Sequence, residues 1–134
     1  MILDKQNLFS NEQAITDTAD SENIIDLGLD ASDVFNPNEK NAELLVQVVE
    51  DFATLTSLTV SVQTDADAAF SDPTTLFSSA AVAAASLLAG YKFKLPNLSE
   101  GLEQYVKLVY TVAGSDATAG KITAGLVIDK QTNV

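Results

Sequence analysis

The sequence predicts an all-β fold, an antiparallel β-sandwich of about eight short strands wound as a jelly roll. Three observations predict it. Apolar and polar residues alternate with a period of two, most plainly in Leu58-Thr59-Val60-Ser61-Val62 and in Val106-Lys107-Leu108-Val109-Tyr110. Clusters of Gly, Pro, Asn, Asp and Ser punctuate the runs at short intervals. The 134 residues, 46% of them apolar with a mean hydropathy of +0.14, suit a single domain with a real core rather than an acidic tail.

Taken in order, residues 1–13 place Ile2, Leu3, Leu8 and Phe9 among polar neighbours with no sustained period. They read as an irregular N-terminal arm ahead of one domain over 14–134. Apolar residues left exposed at a terminus invite association, so these four are expected to contact a neighbouring protein rather than complete the sandwich. Residues 14–18 and 23–27 are short strands, and 29–41 a loop with the turn chemistry of Asn36-Pro37-Asn38. Residues 43–50 and 58–64 are strands, the second with Leu58, Val60 and Val62 inward, and 75–78 is a short one. The Ala-rich segment 79–89 has the propensity of a helix, with Gly90 placed to follow its C-terminus. Tyr91, Phe93 and Leu95 then alternate with Lys92 and Lys94 up to Pro96, which reads as a strand closed by proline. The runs 104–112 and 121–129 read as a β-hairpin whose connector, containing Gly114 and Gly120, is longer than a tight turn.

Composition excludes several function classes. With no Cys there are no disulfides or thiolate chemistry, and with no His the commonest general base and transition-metal ligand are missing. The sequence also holds no Arg, and its net charge of −12 repels phosphate backbones, so no nucleic-acid partner is expected. No apolar run long enough to cross a membrane occurs, and the start Met1-Ile2-Leu3-Asp4-Lys5 lacks the pattern of a signal peptide, so no membrane or export role is expected. The acid is uneven: 12 of the 19 acidic residues lie in residues 1–51, whereas Lys92, Lys94, Lys107, Lys121 and Lys130 outnumber the acids of residues 92–134.

No catalytic, cofactor-binding or metal-ligating residue emerges. Asp65 and Asp67 alternate as at the start of a calcium loop, but Phe70 stands where that loop needs Gly and Leu76 where it needs Glu. Asp26, Asp30 and Asp33 read as a solvated acidic stretch. Carboxylate pairs alone suffice for glycoside hydrolysis, yet no Trp is present to line a sugar cleft. Lys92, Lys94 and Lys107 read as a solvated sheet face, and Gly114, Gly120 and Gly125 lack the strand-to-helix junction of a phosphate loop. The expectation is a non-enzyme without cofactors.

The chain resembles the small cement or decoration proteins of tailed-phage capsids, the Bbp16-like group. The likeness rests on Phe9-Ser10, Gln13-Ala14-Ile15-Thr16 and Ile25-Asp26-Leu27-Gly28 near the start, on Gly90-Tyr91-Lys92-Phe93 with Leu95-Pro96, and on Tyr105 to Gly114 with Gly120 to Asp129. This resemblance implies a jelly roll sitting as a homotrimer on the outside of an icosahedral head, clamping neighbouring major capsid proteins, without catalysis or cofactor. The protein would be made in the bacterial cytoplasm and end on the virion. In such a trimer the near-neutral residues 92–134 are expected to supply the contact between copies. The competing class is a virion-associated sandwich module that binds a carbohydrate or host receptor.

Overall fold

The computed structural model describes residues 3–26, 43–93, 95 and 103–127. In chain order the strands among them are β1 (Leu3–Ala14), β2 (Ala19–Asp20), β3 (Ile25–Asp26), β4 (Glu43–Ala53), β5 (Ser57–Asp65), β6 (Thr74–Ser78), β7 (Val82–Ala83), β8 (Tyr105–Ala113) and β9 (Ala119–Val127). They form two antiparallel sheets. The first has the order β1-β9-β4; the second has the order β2-β8-β5-β6, with β3 also beside β8 and β7 also beside β5. Residues 90–93 extend the first sheet past β4, through Gly90 N–H to Val48 O (2.7 Å), Val48 N–H to Tyr91 O (2.8 Å) and Phe93 N–H to Val46 O (2.9 Å). The expected strand at 91–95 is therefore an edge run, of which Lys94 lies outside the described residues.

The two sheets share one core. Leu44, Val46 and Val48 from β4 and Ile122 and Ala124 from β9 cluster with Leu58, Val60 and Val62 from β5 and Val106, Leu108 and Tyr110 from β8, all fully buried or nearly so. Period-two alternation delivers this directly, because every second side chain of each strand points between the sheets. Burying one such aliphatic side chain stabilises the fold by about 1.5–3 kcal/mol. The all-β antiparallel sandwich expected from the sequence is the architecture found.

The hairpin expected over 104–129 is not. Tyr105–Ala113 pairs with β5 in the second sheet, residue for residue from Ser57↔Ala113 to Asp65↔Tyr105, whereas Ala119–Val127 pairs with β1 and β4 in the first. The connector crosses between sheets. Alternation tells which face of a strand is buried, and both a hairpin and a crossover bury one face of each run; it does not tell which strand lies alongside. β4 and β5 are joined the same way through 54–56, and β1 and β2 through 15–18. These three crossovers lie side by side and are laced together by Ile15 N–H to Gly120 O (3.1 Å), Ala117 N–H to Thr16 O (2.7 Å), Thr118 N–H to Ala53 O (3.1 Å) and Thr56 N–H to Ala113 O (2.9 Å). Thr54 and Thr118 hydroxyls meet at 2.6 Å across the same ladder.

The segment read as an irregular arm is a strand. β1 pairs with β9 from Leu3↔Val127 to Ala14↔Lys121, but the register shifts three times on the way. From Leu8↔Gly125 to Ser10↔Ala124 two steps on β1 match one on β9, so Phe9 and Ser10 both turn inward, and Glu12 takes a positive φ of 49° at the next irregularity. Such bulges abolish the period of two that sequence reading depends on.

Segment 79–89, ambiguous in sequence between helix, strand and loop although its alanines favour a helix, forms no α-helix. Val82 and Ala83 pair with Leu58 and Ser57, Ala84–Ser86 make a single 3-10 turn, and Leu87 is fully buried while its carbonyl accepts from Phe52 N–H. Alanine propensity is worth a few tenths of a kcal/mol per residue, less than strand pairing and one buried leucine supply together. The strand expected at 14–18 is not formed beyond Ala14, the one at 23–27 is found at Ile25–Asp26, with Leu27 outside the described residues, and the strand expected at 43–50 runs on to Ala53. The loop expected at 29–41 lies outside the described residues.

Candidate functional site

The four residues expected to face a neighbour are dispersed by the bulged strand. Ile2 lies outside the described residues. Leu3 contributes its backbone to the pairing with Val127, and Leu8 is half-buried. Phe9 is fully buried in the shared core, and its carbonyl accepts from Asn23 N–H (3.0 Å). For Phe9 the partner is the sandwich itself, because the bulge rotates its ring inward; it is not part of a contact surface.

Next to Phe9 is the one extended polar network of the described core. Ser10 Oγ donates to Gln13 Oε1 (2.6 Å), which commits the serine proton, so the Tyr110 hydroxyl donates to Ser10 Oγ (2.8 Å). Gln13 in turn accepts from Glu22 N–H (2.9 Å) and donates through Nε2 to Asp20 O (2.9 Å). Glu22 Oε1 accepts from Asn11 N–H (2.7 Å). The chain Tyr110–Ser10–Gln13 thus ties the outer edge of β1 to residues 20–22 and to the centre of the second sheet. The proton of the serine is given to a carboxamide, and the network ties the strands it joins.

Burial pushes the Tyr110 hydroxyl well above the ordinary tyrosine range; the Ser10 contact pulls it back in part, and the Glu22 charge adds to the rise. A raised value means that the folded chain holds this proton where the unfolded chain releases it. The stability it contributes is complete below the ordinary value of about 10 and is lost as pH climbs above that value. Denaturation midpoints are expected to fall as pH rises from about 10 to about 12, and Tyr110→Phe is expected to make the fall shallower. An unchanged slope in that variant would contradict the assignment.

The acidic loop that resembled the start of a calcium site spends its carboxylates on its own backbone. Asp65, buried, accepts from Asp67 N–H (3.0 Å) and Asp72 N–H (2.9 Å), and Asp67 accepts from Ala69 N–H (3.1 Å) and Ser71 Oγ (2.7 Å). The Ala69 N–H, then the Ser71 hydroxyl, hold Asp67 below the usual carboxylate range. Above this loop Lys107 pairs with Asp20 at 2.9 Å and lies 4.6 Å from the centroid of the Phe70 ring, on the outer face of the second sheet. Among the described residues no three acidic side chains converge as a metal cage would require.

A concave surface lies where the two sheets part. An open groove of about 180 Å³ is lined by Ser79, Ala80, Val82, Tyr91 and Phe93, the last two rings meeting edge to face at 5.3 Å. Sequence reading missed both this groove and the Tyr110 network. An inward tyrosine on an otherwise aliphatic strand face was the available signal for the second, since a buried phenol needs a partner. In comparison with known proteins, a family model described as Bbp16 matches residues 9–126. No curated protein matches the chain.

Proposed function

The chain belongs to the Bbp16 family, and on that premise we propose that it is a structural virion protein, a cement protein. It binds the outside of an icosahedral phage head as a homotrimer and stabilises contacts between major capsid proteins. The observation that carries the reading is the span of the family match, 9–126, which takes in nearly the whole sandwich from the bulge of β1 to the end of β9. Successive strands passing from one sheet to the other support the finer reading of the fold as a jelly roll. A clamp needs a scaffold that does not deform under load, and three crossovers hydrogen-bonded side by side favour one.

The concentration of acid in the first third suits docking on a basic capsid surface, an attraction that salt screens. Co-sedimentation with purified heads tests the reading. The protein is expected to pellet with heads in saturable fashion and less tightly as salt rises. Remaining in the supernatant with heads while binding immobilised glycans would overturn it in favour of the ligand-binding module.

A further inference from the structure

We propose that the flank formed by residues 73–91, none of them charged, is the surface through which copies of this chain associate. The proposal rests on the homo-oligomer in the function above and names the face that builds it. Residues 73–91 are the longest stretch of the sequence without Asp, Glu or Lys, in a chain of net charge −12. The fold gathers them on one side. β6 and β7 each pair with β5, and among the described residues no strand lies beyond them, so they are the outer edge of the second sheet. Tyr91 belongs to the edge run of the first sheet, and the groove between the two edges is lined by no charged residue. Leu88, on the same segment, is 52% exposed, and the neighbouring Ala89 N–H donates to the carboxylate of Asp51 (2.7 Å), the acid of β4 that borders the segment at this end.

Charge selects the occupant. A basic partner is drawn to the acidic first third and gains nothing electrostatic from this flank. A second copy carries the same −12 and is repelled everywhere that acids face acids, so contact between copies is least opposed where the segment itself contributes none, with Asp51 at its border. The outer backbone of β6, beside which no strand lies among the described residues, and the apolar groove then supply strand pairing and burial. Of residues 92–134, expected from the sequence to supply this contact, the strands Tyr105–Ala113 and Ala119–Val127 are flanked on both sides by others, whereas 92–93 run along the edge of the first sheet beside the groove.

Light scattering and sedimentation equilibrium on the full chain test this. Association of the native chain is expected to strengthen as salt rises from about 50 to 500 mM, because screening weakens the repulsion and leaves apolar burial intact. Leu88→Glu is expected to weaken it about tenfold or more with the melting temperature unchanged. Ile24→Glu, which adds the same charge at the other exposed large apolar residue among those described, 44% exposed and outside the flank, is expected to leave it nearly unchanged. Should Leu88→Glu disturb folding, Ala83→Glu, at an exposed position of β7, replaces it with the same expected loss. A chain monomeric at every salt and protein concentration overturns the proposal, whether or not it pellets with heads. So does equal weakening by the flank variant and by Ile24→Glu.

Discussion

Replacing Phe9 by Ala is expected to destabilise the domain by about 3–5 kcal/mol, the range for removing a fully buried aromatic ring. A small domain has about 5–15 kcal/mol in total, so the variant stands near the edge of folding. The size of the effect follows from the bulge at Leu8–Ser10, which sends two consecutive side chains inward and seats the ring among core residues of both sheets. Leu8→Ala, at a half-buried position one residue away, is expected to cost only about 1 kcal/mol. For the same reason deletion of residues 1–9 is expected to lower the melting temperature sharply, where a dispensable arm would leave it unchanged. Urea denaturation of the two point variants measures the contrast. Equal and small losses would mean that β1 is peripheral to the fold.

Gly120→Ala is expected to cost about 3 kcal/mol. Gly120 has a φ of +136°, and a Cβ there would sit 2.3 Å from the ring of Phe52, itself buried. Overpacking of this kind costs about 1–3 kcal/mol, and the backbone conformation adds strain of similar order. The site cannot relax easily, because its carbonyl accepts from Ile15 N–H and its N–H donates to Glu50 Oε1 (3.2 Å), which fixes it within the ladder of crossovers. Gly90 is the internal control: its φ is +98° but a Cβ would meet nothing within 4 Å, so Gly90→Ala is expected to show the backbone strain alone, about 1 kcal/mol. Equal losses in the two variants would remove the Phe52 contact as the cause.

These residues also show what the sequence could and could not reveal. Where alternation is unbroken, as in Leu58 to Val62, the strand and its buried face are legible and the bounds lie within a residue of those found. Alternation is a property of one strand, however, and pairing is a property of two. Tyr105–Ala113 and Ala119–Val127 were therefore readable as strands but not as members of different sheets; the connector, too long for a tight turn, was the only local trace of the crossover. β1 was illegible because bulges at Phe9 and Glu12 break its period, and the alanines of 80–85 misled because propensity is weak against pairing with Ser57 and Leu58. For the site, the sequence showed the apolar residues near the start but not that Phe9 turns inward. The absence of charge between Pro73 and Tyr91 was visible in the sequence, yet it gained meaning only once the fold placed those residues on a single flank.

The claim at the centre of this account is that the protein strengthens a capsid, and the most direct measurement is the temperature at which purified heads lacking it come apart as it is titrated in. The account predicts that this temperature rises and then levels off at a fixed ratio of added chain to major capsid protein. Heads that disassemble at the same temperature with the protein bound to saturation would contradict it.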